Sequence, residues 1–556
     1  MARNLMIQGT MSGAGKSILT AGILRVLRQD GFRVAPFKSQ NMALNSFVTR
    51  DGLEMGRAQV VQAAAAGMEP SADMNPILLK PMGDAVSEVI VNGRPIGKMR
   101  AADYYRVKKS LVPQILEAYH RLEEQAEIIV IEGAGSPVEI NLREGDFVNM
   151  GLAQMVDAPV LLAGNIDPGG VFAQLLGTMQ LMRPEERERV KGLIINKFRG
   201  DVRLLEPGLS MFREYCDIPF AGVVPWLKLN LDEEDSLSDK LTGRERAEGS
   251  KSAQGGPRSA DSPNAAKPVT VDIAVIRLPY MSNYTDFAPL EQEEGVNLYY
   301  VSKVSELGTP DLILLPGTRN TIEDLRWLKK SGLAKWIDRL VSLRRARNAG
   351  LLSIPEEGEF PNTSLLIGIC GGYQMLGKRI LDPLSSETGG AEEGLDLLPI
   401  ETVFRPEKLT KQSAGRTCRL AGDWTALSDL PVSGYEIHMG ETVYLGNPDG
   451  DRIRRDGLPA GSVFANLSGP DGAVFESVLG TYLHGIFDEP AFREALIALL
   501  RERKGTIAMD KDAGIVRAAG KELLSARQMQ ERQLNILANV LREHLDWKLI
   551  YEAIGI

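Results

Sequence analysis

Short apolar runs alternate with stretches of helical period along most of the chain. Leu5–Gln8, Val34–Phe37, Ile128–Ile131, Val160–Ala163 and Gly192–Asn196 read as buried strands. Between them apolar residues recur at helical spacing, as with Leu19, Ile23, Val26 and Leu27 on one face. Strands alternating with helices predict a parallel sheet covered on both sides. The pattern lapses between about Asp232 and Lys267, where an acidic run gives way to GSKSAQGGPRSADSPNAAKP, which has almost nothing to bury. Alternation then resumes with Asp272–Ile276, Asn297–Val301, Leu312–Leu315 and Leu365–Ile369, followed by GYEIHMG and LGTYLHGIF. From about Glu489 the chain reads mainly as helix, closing on LNILANVLREHL. The expected fold is α/β in two domains, each a mostly parallel sheet flanked by helices: a first domain over 1–231, a linker over 232–270, a second domain over 271–492, and a C-terminal helical segment over 493–556.

Composition narrows the classes. A chain of 556 residues exceeds one compact core, which supports two domains. A net charge of −9 with interspersed signs presents no nucleic-acid-binding face. The N-terminus, MARNLMIQGT, lacks the apolar core of a signal peptide. No apolar stretch approaches the roughly 20 residues that span a bilayer. Cys216, Cys370 and Cys418 are too scattered for a disulfide framework or a zinc site, so a reducing cytoplasm is expected. Cys216 and Cys418 read as packing residues. Oligomeric state is not legible.

Residues 9–17, GTMSGAGKS, follow a strand and precede a helix, the context a phosphate loop requires. Gly13 and Gly15 let backbone N–H groups approach phosphate oxygens, and the helix N-terminus adds a favourable dipole. Lys16 would reach the outer phosphates and Ser17 could ligate magnesium. The fit is imperfect: the first glycine of the usual pattern is displaced by one place, to Gly9, with Thr10 in its stead. AEIIVIEGAGSP supplies a second part, an apolar strand ending in Glu132, where an acid could hold magnesium. A further strand ends in Asn196 and Lys197, suited to reading a purine edge. No Asp stands two places after Lys197, which favours ATP over a guanine nucleotide.

In SLLIGICGGYQMLG an apolar strand ends at Cys370 and turns through glycines into a helix, a nucleophile elbow with Cys in place of Ser. The helix N-terminus favours the thiolate, and the Gly371 N–H would face a developing oxyanion. His484, at a strand end in GTYLHGIF, is the candidate base, and Gly317 in LILLPGTRN is the candidate second oxyanion donor. His120 and His544 lie in charged helical surroundings and are expected to be solvated. His438, in GYEIHMG, fits a strand lining a docking surface or an edge strand equally well.

The GICGGYQ elbow with its distant LHG histidine resembles a class I glutamine amidotransferase domain of flavodoxin-type fold. The phosphate loop, FKSQN and VIEGAGSP resemble the dethiobiotin synthetase type of P-loop ATP-binding domain. In this order, with PFKSQNMALNS, EMGRAQ, IEGAGSPVEINL and GYEIHMG, the chain resembles the family of glutamine-hydrolysing cobyric acid synthases over nearly its whole length. The resemblance implies ATP- and glutamine-dependent amidation of the b, d, e and g carboxylates of adenosylcobyrinic acid a,c-diamide, in cobalamin biosynthesis. It implies ATP, magnesium and small-molecule substrates, no tightly bound cofactor, and cobalt carried only by the corrinoid. It also implies that Lys38 binds phosphate or substrate carboxylate, that Glu54 and Glu132 join Ser17 around magnesium, and that Asp146 lies near the activated carboxylate. Two positions depart from the pattern. Ile486 stands where many class I enzymes carry the acid that orients the histidine, leaving the third member unassigned, and Pro316-Gly317-Thr318 replaces Pro-Gly-Gly. Alternatives are a cobyrinic acid a,c-diamide synthase, amidation of another carboxylate, or a partitioning-type ATPase switch carrying an inactive amidotransferase-like module; Met11, where such switches have a signature Lys, speaks against the last.

Overall fold

The computed structural model describes residues 2–82, 86–229, 231, 270–348, 364–445, 464–466, 469–504 and 524–556. The expected linker lies outside them, apart from Leu231 at its edge and Thr270. The chain forms two compact units, Met1–Glu234 with Gln528–Ile556, and Asp235–Arg527.

The first unit is built on six parallel strands in the order Phe220–Pro225, Val190–Phe198, Val160–Asn165, Arg3–Gly9, Ile128–Glu132, Val34–Phe37. Side chains alternate between two cores. Along one central strand Ile129 and Ile131 join one core, while Ile128 and Val130 join the other. A strand buried on both faces reads as a continuous apolar run, which is why these segments were legible in the sequence. A four-stranded side sheet, Gln40–Met42, Ile77–Pro81, Val86–Val91 and Arg94–Arg100, was not foreseen. Its strands are short and partly polar.

The C-terminal helical segment expected at 493–556 is divided between the units. Helix Pro490–Arg503 belongs to the second unit, whereas Ala526–His544 and Trp547–Ile554 complete the first. Leu534, Leu537 and Leu541 pack with Leu19, Ile23 and Leu27 of helix Lys16–Gln29 in one core. Close approach is possible because residue 22 is glycine; a Cβ there would stand 2.3 Å from Leu541 Cδ1. Arg25 adds an ion pair to Glu531 and a 2.9 Å hydrogen bond to Asn535.

The second unit centres on the order Val296–Val301, Val271–Ile276, Leu312–Leu315, Leu365–Ile369, Val478–Thr481, Ala473–Phe475; all neighbours are parallel except the last pair. Beside it a second sheet contains a long antiparallel pairing of Ile400–Thr417 with Pro431–Tyr444. The latter strand carries GYEIHMG.

Candidate active sites

Cys370 sits where strand Leu365–Ile369 turns into helix Gly371–Met375, with φ 51° and ψ −110°. A non-glycine residue with positive φ stores strain, and here the turn presents the thiol at the C-terminal end of the parallel sheet. The Cys370 N–H donates to Thr481 O at 2.8 Å, and its sulfur lies 3.5 Å from Ile437 O. His484 follows the adjacent strand Val478–Thr481 and is 1% exposed. Its Nδ1 donates to Asp286 Oδ2 at 2.7 Å, and Asp286 Oδ1 accepts the Gly485 N–H at 3.2 Å. A carboxylate can only accept, so Nδ1 carries a proton. Burial alone would lower the imidazole's pKa, but Asp286 and Cys370 together outweigh it and push it up to about 10.

Asp286 thus occupies the place that Ile486 left open. It comes from the short helical turn Tyr284–Phe287 that follows the first strand of this unit, far from His484 in sequence. The available signal was an acid shortly after a strand end in an open α/β sheet, where sites collect. Asn283 Nδ2 lies 3.4 Å from His484 Nε2, and the Tyr435 ring stacks on the imidazole at 5.2 Å and 18°. Paired backbone bonds, Tyr435 N–H to His484 O at 3.1 Å and His484 N–H to Tyr435 O at 2.9 Å, hold the two together.

The two expected oxyanion donors lie at the same place. A Cβ on Gly317 would stand 3.0 Å from His484 Cε1, and one on Gly371 would stand 3.2 Å from Thr318 N. The Gly317 turn therefore touches both the imidazole and the elbow. Thiol, imidazole, carboxylate and backbone turn form the constellation a nucleophilic cysteine needs. An inert binding module requires no such buried, oriented histidine, which argues against the switch alternative.

In the first unit, Gly15 closes the phosphate loop in the left-handed region, φ 84°, immediately before helix Lys16–Gln29. Lys16 Nζ donates to Met11 O at 3.1 Å and Gly135 O at 3.2 Å, joining the loop to EGAGSP. Glu132, 1% exposed, is the hub. Its Oε1 accepts the Ser17 hydroxyl at 2.7 Å and Lys38 Nζ at 2.9 Å, while its Oε2 accepts the Gln62 and Gln59 amides. Sequence reasoning missed Gln59 and Gln62, although EMGRAQ contains the first. A hydroxyl and a carboxylate sharing one locale are hard oxygen donors of the kind magnesium prefers, so the residues present fit that ion.

Three further candidate residues have clear partners within the unit. Glu54 is fully buried and ion-paired with Lys80, itself 2% exposed. A buried carboxylate needs a counter-charge, and Lys80 on the neighbouring side sheet supplies it. Asp146 accepts the N–H groups of Val148, Asn149 and Gly151 at 2.8, 3.0 and 2.8 Å, so its carboxylate caps helix Met150–Met155. Asn196 donates to Ala14 O at 2.9 Å and accepts the Lys197 N–H at 2.9 Å, so it braces the phosphate loop. Asn165 braces the same loop through Gly13 O at 3.1 Å.

Of the remaining histidines, His120 and His544 are exposed as expected. His438 lies on the strand that pairs with Ile400–Thr417 and bridges to His484 through Tyr435, and its ring stacks on Tyr482 at 3.6 Å. Cys418 is buried and Cys216 is only partly so. No helix among the described residues is long and apolar enough to cross a membrane.

Known proteins match both units. Residues 5–236 match the CobQ/CobB/MinD/ParA nucleotide binding domain, and residues 272–346 and 360–492 match the CobB/CobQ-like glutamine amidotransferase domain. A thiol site of this kind joined to a P-loop domain defines a glutamine-dependent amidating ligase. Cobyric acid synthase of Lachnoclostridium phytofermentans is 47% identical over 562 residues, covering 99% of each chain. That of Ruminiclostridium cellulolyticum is 46% identical over 557 residues, covering 100% of this chain and 97% of its own. That of Photorhabdus laumondii is 45% identical over 561 residues, covering 99% and 98%. The chain belongs to the cobyric acid synthase family.

Proposed function

We propose that the chain amidates the b, d, e and g carboxylates of adenosylcobyrinic acid a,c-diamide, with nitrogen from glutamine and activation by ATP. The observation that carries the reading is the buried Asp286–His484 pair beside Cys370, in a chain related along its whole length to cobyric acid synthases.

Asp286 holds the imidazole of His484 in one orientation and favours its charged form. The Cys370 thiolate attacks the side-chain amide carbon of glutamine, and the N–H groups of Gly317 and Gly371 receive the oxyanion. His484 gives a proton to the departing nitrogen, which leaves as ammonia, and the thioester is then hydrolysed to glutamate. In the first unit a substrate carboxylate attacks the γ-phosphorus of ATP, forming an acyl phosphate and releasing ADP. Activation is needed because a carboxylate is a poor electrophile at neutral pH. Lys16 and Lys38 offset the negative charge that gathers there. Ser17 and Glu132 would hold magnesium, whose charge would further neutralise the phosphates. Ammonia attacks the acyl carbon, phosphate departs, and the amide forms. Only the free base has the lone pair this step requires.

Mass spectrometry of adenosylcobyrinic acid a,c-diamide incubated with the enzyme, ATP, magnesium and glutamine tests the reading. Stepwise replacement of OH by NH₂ at each of the b, d, e and g positions is expected. An unmodified a,c-diamide, with cobyrinic acid amidated instead, would move the assignment to a,c-diamide synthesis.

A further inference from the structure

Two loops meet at His484. Loop 280–286 carries Asn283 and Asp286, and turn 316–320 carries Gly317. Backbone bonds link them, Ser282 N–H to Gly317 O at 2.9 Å and Arg319 N–H to Tyr280 O at 3.0 Å. A single side chain grips both. Asp324, in the first turn of helix Thr321–Lys330, is fully buried; its two oxygens each lie 3.2 Å from Tyr280 N, and Oδ2 accepts the Thr318 hydroxyl. Thr318 also abuts the elbow, since a Cβ on Gly371 would stand 2.4 Å from Thr318 Cγ2. Thr318 is the position where the sequence departs from Pro-Gly-Gly, and the departure supplies the hydroxyl that Asp324 holds.

We infer that Asp324 is a positioning residue for glutamine hydrolysis: through Tyr280 and Thr318 it locks together the loop that orients His484 and the turn that places the oxyanion donor. The inference rests on the reading of Cys370 and His484 as the glutamine-hydrolysing pair. A buried carboxylate is costly to keep, and burial pushes this one up to about 7 despite the donors from Thr318 and Tyr280. A group of that cost placed where two site loops meet fits a geometric requirement. Misplacement of a reacting group by about 1 Å lowers turnover by roughly a hundredfold.

The test compares Asp324→Ala, Asp324→Asn and Thr318→Val with Cys370→Ala in the full-length enzyme, using glutamine or ammonium as nitrogen source. For Asp324→Ala, kcat with glutamine should fall about 10- to 100-fold, with KM for glutamine changed less than about threefold and ammonia-dependent synthesis intact. Thr318→Val should show the same split at about tenfold. Asp324→Asn should recover most of the loss, because an amide still accepts from Tyr280 and can donate to the Thr318 oxygen. Should Asp324→Ala not fold, Thr318→Val decides. The inference is overturned if folded Asp324→Ala or Thr318→Val keeps glutamine turnover within about twofold, or if both nitrogen sources fail together. Glutamine-dependent synthesis surviving in Cys370→Ala would instead overturn the reading beneath it.

Discussion

The thiol site of the second unit and the phosphate loop of the first answer different physical demands. Nucleophilic attack requires one sulfur, one imidazole and one carboxylate in a single orientation. The second unit accordingly draws Cys370, His484 and Asp286 from three separate segments and buries all three. Holding a polyanion requires backbone N–H groups and opposed charges. The first unit has backbone N–H groups, Lys16 and Ser17 in one continuous loop, and Glu132 gathers Ser17 with Lys38 and two glutamine amides from other segments. Orientation is assembled by tertiary structure, whereas a phosphate cradle is largely encoded by a few consecutive residues.

The sharpest way to break this comparison is to disable one site and read the other. Cys370→Ala should lower glutamine-dependent synthesis by at least about a thousandfold while ammonia-dependent synthesis persists. Loss of both in a folded protein would refute the division. Lys16→Ala should cut synthesis from either nitrogen source by about a hundredfold or more, with glutamine hydrolysis continuing. Retained synthesis would remove the phosphate loop from the reaction.

Asp286→Asn sharpens the account of the thiol site, with an expected loss of about a hundredfold in glutamine hydrolysis. It also carries a pH signature. The folded-state pKa of His484, about 10, lies above its ordinary 6.5, so the folded protein binds the proton more tightly than the unfolded chain. That stabilisation is complete below about 6.5 and is lost as pH rises through about 10. The melting-temperature gap between the native enzyme and Asp286→Asn should therefore be widest at about pH 6.5 and close as pH rises through about 10. A constant gap would place the effect elsewhere. The smallest effect is expected for Gly15→Ala. Its φ of 84° disfavours a side chain, and a Cβ would stand 2.2 Å from Asn196 Nδ2. KM for ATP should rise about tenfold with glutamine hydrolysis unchanged, since the left-handed penalty alone is about 1–2 kcal/mol.

Much of this was readable before the fold. Strands such as Val34–Phe37, Leu312–Leu315 and Leu365–Ile369 have the bounds that their apolar runs announced. The side sheet was missed because Arg94–Arg100 is exposed and polar, with no alternation to betray it. Cys370 and His484 stood out by their glycine surroundings. Asp286 did not, because nothing local distinguishes an acid that orients a histidine from one that meets water.

The sequence by itself determined the strand and helix alternation, the phosphate loop, the cysteine elbow and its candidate histidine, because each depends on neighbours within a few residues. Only the tertiary structure decided that Asp286 reaches His484, that Lys80 claims Glu54, that Asp146 and Asn196 serve the backbone, and that Gln528–Ile556 completes the first unit. The physical reason is shared. An amphipathic helix does not specify which apolar surface it covers, nor a carboxylate which donor it accepts, until burial and chain geometry leave one partner within reach.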